Sequence, residues 1–217
     1  MMSNFNLKFT DTFTIVDNKR LFSINKCWLY LEQQGKAIYG SHFVINNHHK
    51  KALYKLLIYA IEDQVEMDRL GLNPNKGILL MGENFTGKTA MMRLTQDFYR
   101  KKKRYDIKSC RLLSHNFLLN NGYESLVPLL SPTAKVLVLD NMGTENPVKH
   151  FGNTCNVVMD IVEHFYEQRF DLSYPRLHIT TTLSPTEISK KYGDGFRAMV
   201  KEMFNVVVVA SNAANAV

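Results

Sequence analysis

The chain has 217 residues, of which 45% are hydrophobic and 22% charged, and its formal net charge is +7. This length supports one sizeable core with a smaller appendage and excludes two full domains. No apolar run approaches the length of a membrane span and no signal sequence begins the chain, so we expect a cytoplasmic protein without a membrane partner. The three cysteines lie far apart and show neither a disulfide framework nor metal-ligand spacing, which agrees with a reducing compartment.

The first 40 residues differ in pattern from the rest of the chain. Residues 13–16 have the composition of a strand, whereas periodicity leaves residues 26–32 open between helix and strand. We expect residues 1–40 to form a small N-terminal module that binds a partner protein. Apolar residues at helical spacing then predict one amphipathic helix over residues 52–70, which the turn at residues 71–75 ends.

A phosphate-binding loop follows. Residues 77–81 are a short apolar run suited to a buried parallel strand, and the next eight residues, G-E-N-F-T-G-K-T, match the pattern G-x-x-x-x-G-K-[ST]. Glycines at both ends allow the loop to direct successive N–H groups at an anion, at the start of a helix predicted over residues 89–99. The predicted ATP-binding residues are Gly82, Glu83, Asn84, Phe85, Thr86, Gly87, Lys88, Thr89 and Ala90.

Two residues of this loop have specific predicted roles. Lys88 is expected to reach the outer phosphates of ATP, and the Thr89 hydroxyl is expected to hold Mg²⁺. We place the nucleotide base near the turn at residues 71–75, which lies just before the strand and the loop.

From this loop onward strands and helices alternate. Further strands are predicted at residues 107–114, 134–140, 176–183 and 205–210, and further helices at residues 117–130, 153–170, 185–192 and 196–204. This alternation predicts an α/β domain over residues 41–210, with a parallel sheet covered by helices on both faces. Residues 211–217 have little to pack against, and we expect a disordered tail.

The strand at residues 134–140 is the strongest strand signal, and it delivers one acid, Asp140, at its carboxyl end. Ligands bind at that edge of open α/β sheets, so Asp140 is expected to hold Mg²⁺ opposite Thr89. The alternative is an aspartate that only ends the strand at a turn.

At this point the chain resembles a known family. Residues 139–145, L-D-N-M-G-T-E, resemble the D-D-x-G-T-E segment of DnaC/IstB-type AAA+ ATPases, the helicase-loader and transposition-helper group. Residues 151–153, 178–184 and 201–205 resemble the segments Y-G-N, I-T-T-N-L-S and R-E-M-F-N of that group, and residues 76–80 match K-G-I-L-L. The resemblance implies a P-loop NTPase of the AAA+ type that uses ATP and Mg²⁺. It also implies five core strands in the order 5-1-4-3-2, with Asp140 on the third and Thr182 on the fourth.

The sequence departs from this family at positions that carry hydrolysis. Asn141 stands where the family has the second acid that polarises the attacking water, and an amide cannot take the proton. Glu145 is a further acid that the family often has, and we expect it to act as a weak substitute base. Thr182 stands at the sensor position, which is usually asparagine, and Phe85 stands where many relatives have another glycine.

The arginines of the family are also depleted. Gly195 and Met199 occupy positions where relatives carry arginines, the second of which is the finger that acts across a subunit boundary; Arg197 is the only arginine left there. Loss of an arginine finger typically costs several powers of ten in rate. The candidate catalytic residues that the resemblance implies are Lys88, Asp140, Glu145, Asn141, Thr182 and Arg197.

The resulting hypothesis is an ATP-binding AAA+ protein of the helicase-loader type, acting in DNA replication or mobile-element DNA handling, with slow or impaired ATP hydrolysis. Its expected partners are single-stranded DNA, a replicative helicase or other DNA-processing protein, and further copies of itself in the presence of ATP. The alternative is a nucleotide-binding scaffold or regulator that does not hydrolyse ATP. A small-molecule phosphotransferase would need an arginine-rich lid, which the sequence does not show.

The basic run at residues 100–104, R-K-K-K-R, has two interpretations. It is either the solvated end of the predicted helix, with cations near a helix C-terminus, or part of a surface that contacts a nucleic-acid backbone.

Overall fold

The computed structural model describes residues 7–210, so the predicted disordered tail lies outside the described residues. The described chain begins with a hairpin of two antiparallel strands, β1 (Phe13–Val16) and β2 (Lys19–Phe22). Asp17 and Asn18 at its turn have φ values of 49° and 59°, as a two-residue hairpin turn that matches strand twist requires. Helix α1 (Ile24–Tyr39) follows, so the segment that periodicity left open is helical.

Helix α1 belongs to the main core of the protein. Its buried residues Cys27, Tyr30 and Leu31 lie in the same hydrophobic cluster as Ile78 and Leu80 of the central sheet. The described part of the N-terminal segment therefore shares its core with the remainder of the domain. Its expected role in binding a partner protein stays a prediction.

The helix predicted over residues 52–70 is two helices, α2 (Asn47–Ile61) and α3 (Gln64–Leu70). Glu62 adopts a left-handed conformation with a φ of 59°, which ends α2. The Asp63 side chain then accepts a hydrogen bond from the Glu66 backbone N–H and caps α3. The continuous amphipathic pattern concealed this break, because both helices turn apolar residues towards the same core.

The remaining elements are, in chain order, β3 (Gly77–Met81), α4 (Lys88–Thr95), β4 (Tyr105–Ser109), α5 (Cys110–Leu119), α6 (Val127–Leu130), β5 (Val136–Met142), β6 (Val148–His150), β7 (Asn153–Cys155), α7 (Val157–Glu167), β8 (Leu177–Thr181), α8 (Pro185–Tyr192), α9 (Asp194–Met203) and β9 (Phe204–Val208).

The central sheet has five parallel strands in the order β4-β5-β8-β3-β9. If the core strands β3, β4, β5, β8 and β9 are numbered 1 to 5 and the sheet is read from β9, the order is 5-1-4-3-2. The predicted α/β fold is confirmed. Strands β3 and β5 are buried on both faces over nearly their whole length, which explains their near-continuous apolar sequence. One hydrophobic cluster joins the sheet to α1, α2 and α4, and the other joins it to α5, α7 and α9.

Several predicted boundaries differ because polar residues cap helices within predicted elements. Helix α5 already begins at Cys110, since the Ser109 hydroxyl accepts a hydrogen bond from the Leu112 backbone N–H. Likewise, α7 begins after Asn156, whose side chain accepts from Met159, and residues 153–155 form the second strand of the β6–β7 hairpin.

Parallel strands give the sheet two chemically different edges. The phosphate-binding loop follows β3 and lies at the carboxyl edge, whereas the turn at residues 71–75 precedes β3 and lies at the amino edge. The expectation that a nucleotide base rests against this turn is therefore wrong, since a sheet strand separates the two. Among residues 7–210, no helix combines the length and apolar character needed to cross a membrane.

Candidate functional site

The phosphate-binding loop is wrapped around the ammonium group of Lys88. The Lys88 Nζ donates hydrogen bonds to the Gly82 carbonyl at 2.8 Å and the Glu83 carbonyl at 2.7 Å. Gly87, with a φ of 77°, turns the chain into α4, of which Lys88 is the first residue. Phe85 also adopts a positive φ, 62°, and its side chain is fully exposed. Because the ring meets no neighbour, this position accepts phenylalanine where many relatives have glycine.

Lys88 is a buried cation that two carbonyl groups and, at 3.5 Å, the Thr86 hydroxyl satisfy. Its exposed fraction is 5%, and among the described residues no carboxylate forms an ion pair with it. Burial lowers the pKa of its ammonium, an effect that the nearby Asp140 carboxylate opposes. A buried positive charge without an anionic partner, at the start of a helix, is suited to an anionic ligand.

Asp140 lies beside this loop, as the sequence predicted. Its carboxylate, at the carboxyl end of β5, accepts one bifurcated hydrogen bond from the Thr89 hydroxyl, at 2.8 Å to Oδ1 and 3.0 Å to Oδ2. The hydroxyl of Thr180 on the neighbouring strand β8 donates to it at 2.7 Å. Three oxygen-bearing side chains from three elements therefore meet at one point of the sheet edge.

An open cavity of about 540 Å³ covers the loop. Its lining consists of Asn84, Phe85, Gly87, Lys88, Thr89 and Ala90 from the loop and its helix, together with Tyr39, Arg93 and Asn141. Sequence reasoning missed Tyr39 and Arg93. Arg93 lies on α4 after the recognised motif, and Tyr39 ends α1, which only the packing of α1 against α4 brings to the loop.

Asn141 lies on the cavity wall in an unusual backbone conformation. Its φ is 58°, at an irregularity in the pairing of β5 with β8. Its backbone N–H donates to the Thr180 hydroxyl at 2.9 Å. Asparagine and aspartate adopt this left-handed conformation more readily than most residues, so the backbone here accepts either one.

Glu145 is not available as a substitute base. The structure buries it to an exposed fraction of 1%, and it does not line the cavity. Its carboxylate accepts hydrogen bonds from the Gly143 backbone N–H, at 2.8 Å, and from the Tyr192 hydroxyl. Lys191 lies beside it, with Nζ 3.9 Å from Oε1. The expected catalytic role is therefore corrected: Glu145 ties the segment after β5 to α8.

The predicted sensor residue, Thr182, lies just beyond the end of β8, and its sensor role stays a prediction. Strand β8 ends at Thr181, so Thr182 lies in the bend beyond the strand and not on it as expected. The threonine that contacts Asp140 is Thr180, and Thr181 instead donates to the Met142 carbonyl at 2.7 Å. Alternation of side chains along a strand explains why only one of two adjacent threonines faces the site.

The two positions that lack an arginine, Gly195 and Met199, and the retained Arg197 all lie on α9, away from the cavity. Arg197 and Gly195 are exposed, whereas Met199 packs partly against the cluster beneath the sheet. The structure does not bring Arg197 to the phosphate-binding loop of its own chain. Its role across a subunit boundary stays a prediction.

The contact between Thr180 and Asp140 leads to a prediction on stability. Thr180→Val should lower the free energy of unfolding by about 1–3 kcal/mol, because it removes a hydrogen bond from a buried carboxylate and the acceptor of the Asn141 N–H. Thr182→Val serves as the matched control and should change it by less than about 0.5 kcal/mol. Urea unfolding of both variants measures the difference, and equal destabilisation would contradict the assignment of Thr180 as the supporting residue.

Comparison with known proteins yields fold information. No protein-family model and no curated protein sequence matches the chain. Among solved structures, the DnaC helicase loader has a TM-score of 0.51 and 16% sequence identity, covering 85% of this chain and 99% of that one. A protein assigned as a primosome component of Streptococcus pyogenes serotype M3 has a TM-score of 0.53 and 15% identity, covering 78% of this chain and 83% of that one. The chain therefore shares the fold of these two proteins.

Proposed function

We propose that this protein binds ATP with Mg²⁺ and acts as a nucleotide-dependent switch of the helicase-loader type, in DNA replication or mobile-element DNA handling. The observation that carries this proposal is the buried Lys88 ammonium, held by neutral oxygens of the loop beside the Thr89–Asp140 pair. A phosphate chain would supply the anionic partner that Lys88 lacks, and the N–H groups at the start of α4 would bind the same anion.

The oxygen atoms beside Lys88 suit Mg²⁺. This cation prefers carboxylate, hydroxyl and water oxygens, and the Thr89 hydroxyl and the Asp140 carboxylate already lie within hydrogen-bond distance of each other. These two residues would hold the ion, with Thr180 orienting the carboxylate. Bound Mg²⁺ would offset the negative charge of the phosphates.

Slow or absent hydrolysis forms part of this proposal. Asn141 lines the cavity where an acid would polarise water, and an amide does not take up a proton. Glu145 is committed to Gly143 and Tyr192 and does not replace it. The one arginine on the cavity wall, among the described residues, is Arg93. Binding without efficient cleavage suits a switch, because a ligand that prefers one state shifts the population towards that state.

The partners are proposed from the fold neighbours and from the surface. One neighbour is a helicase loader and another is assigned to a primosome. We propose a replicative helicase or other DNA-processing protein as the protein partner, together with single-stranded DNA and an ATP-dependent homo-oligomer. The N-terminal hairpin and α1 expose the large apolar residues Ile15, Leu21 and Leu29, which are suited to a protein contact.

Measurement of ATP binding and phosphate release, with and without single-stranded DNA, tests the proposal. We expect Mg²⁺-dependent ATP binding by calorimetry, slow phosphate release and a larger oligomer by light scattering when ATP is present. ATP binding with no phosphate release under any condition favours the alternative, a non-hydrolysing scaffold. Absence of ATP binding contradicts both forms of the proposal.

A further inference from the structure

A second large cavity, of about 570 Å³, lies at the amino edge of the sheet, opposite the phosphate-binding loop. Its walls include the first residues of β3 and β8, Gly77 and Leu177, and the last residue of α9, Met203. Aromatic and cationic side chains line the opening, among them Phe170, Tyr174 and Arg169. The proposed ATP site does not use any of these residues.

Phe170 forms a flat, exposed surface at the mouth of this cavity. Its side chain is 84% exposed, which is unusual for phenylalanine. The Arg169 guanidinium lies 4.3 Å from the Phe170 ring centroid and 3.6 Å from that of Tyr166, so it stacks on both rings. Exposed aromatic rings and guanidinium planes are the groups on which proteins stack unpaired nucleic-acid bases.

Tyr174 connects this platform to the basic run at residues 100–104. The Tyr174 hydroxyl donates to the Lys102 carbonyl at 3.0 Å, and the ammonium groups of Lys102 and Lys103 lie 5.6 Å and 5.5 Å from its ring centroid. The run is a 3-10 turn (Lys101–Lys103) at the amino edge, separate from α4, which ends at Thr95. The interpretation as cations at the end of a long helix is therefore wrong.

Only part of the run is neutralised. Arg100 and Lys103 pair with Glu62, and Arg104 pairs with Asp97. Lys101 and Lys102 are exposed and have no carboxylate partner among the described residues. Arg169 pairs with Glu202, which also lines the cavity, at 3.5 Å. The unpaired cations of this surface are therefore Lys101 and Lys102, and the Tyr174 ring lies between Lys102 and the cavity.

We propose that this amino-edge surface binds single-stranded nucleic acid, with Lys101 and Lys102 contacting phosphates and Phe170 stacking on a base. A basic groove lined with aromatic side chains is how proteins hold single strands without sequence preference. An acidic protein segment would match the lysines but would leave the exposed ring without a planar partner. The inference deepens the DNA part of the proposed function by locating it at the edge opposite ATP.

Fluorescence anisotropy with a labelled oligodeoxythymidine of about 15 nucleotides tests the surface. Phe170→Ala should weaken binding by about fivefold or more, the effect of losing one stacked base. Lys101→Ala with Lys102→Ala should reduce the salt slope by about 1.4, since each lost phosphate contact of a single strand contributes about 0.7. Both variants should bind ATP with unchanged affinity, because they lie at the opposite edge from Lys88.

Matched controls lie at the carboxyl edge or near it. Phe151 at the tip of the β6–β7 hairpin is 92% exposed, so Phe151→Ala removes an equally exposed ring elsewhere. Lys50→Ala with Lys51→Ala removes two exposed charges from the first turns of α2, near the phosphate-binding loop. Neither control should reproduce the losses.

Several outcomes would overturn the inference. These are a wild-type protein that does not bind the oligonucleotide, controls that weaken binding as much as the amino-edge variants, and a polyglutamate peptide that binds as tightly as the oligonucleotide. A wild-type protein that binds the oligonucleotide at this surface but not ATP would support the inference while contradicting the proposed switch, so the two failures are distinguishable.

Discussion

Replacing Lys88 with alanine should abolish ATP binding while the fold remains. Lys88 is the only cation that the loop buries among the described residues, with an exposed fraction of 5%. Its hydrogen bonds to phosphate oxygens would be charge-assisted, and bonds of this kind contribute about 1.5–3 kcal/mol each. Loss of two such bonds, about 3 kcal/mol or more, raises the dissociation constant for ATP by at least about 100-fold, since about 1.4 kcal/mol corresponds to tenfold.

Calorimetric titration with Mg-ATP measures this effect. Lys190→Ala is the control for a general loss of positive charge, because Lys190 is exposed on α8 and is not part of the cavity. The thermal melting temperature of each variant without nucleotide reports on the fold. A Lys88→Ala variant that melts normally and binds ATP with the parent affinity would show that this loop is not the site.

Restoring a carboxylate at Asn141 should recover hydrolysis, provided that the finger is also restored. Asn141 lines the cavity with Lys88 and Thr89 and has a φ of 58°. Aspartate adopts this conformation readily and glutamate less so, so Asn141→Asp is the better of the two substitutions. A positioned base contributes about 10²- to 10⁴-fold, and we expect phosphate release by Asn141→Asp with Met199→Arg to rise by a factor in that range.

The second substitution is needed because parts of one catalytic site act non-additively. The structure leaves Met199 and Arg197 on α9, away from the cavity of their own chain. Single-turnover phosphate release should therefore be compared for each single variant and for the double variant. Asn141→Gly, which keeps the backbone conformation without a carboxylate, should show no gain. A double variant that binds ATP, assembles and releases no more phosphate than the parent would leave a binding-only switch.

The local sequence determined the parts of this protein that depend on neighbouring residues. The G-x-x-x-x-G-K-T pattern specifies its own backbone, because glycine at position 87 permits the left-handed turn that starts α4. Asp140 was also predictable, because the end of one buried parallel strand must lie at the same edge as the end of another. Alternating strands and helices likewise predicted the parallel sheet, whereas its strand order was implied by the family resemblance.

Tertiary structure decided every feature that depends on which side chains meet across the chain. The position of Glu145 in the sequence predicted a substitute base. In the structure its carboxylate accepts hydrogen bonds from the Gly143 N–H and the Tyr192 hydroxyl. The choice among three consecutive threonines depended on the pleat of β8, which turns Thr180 towards Asp140. Neither result follows from the spacing of residues, because a hydrogen bond to a residue of another element produces no periodic pattern in the sequence.

The other features that the sequence did not predict have the same physical origin. Tyr39 lines the cavity only because α1 packs against α4, and that packing follows from a shared hydrophobic core. The basic run was visible in the sequence, but the aromatic cavity beside it was not, because Phe170 and Tyr174 are distant from Lys102 along the chain. Sequence patterns therefore determined the local conformation of the phosphate-binding loop, and long-range packing determined which other side chains line the two cavities.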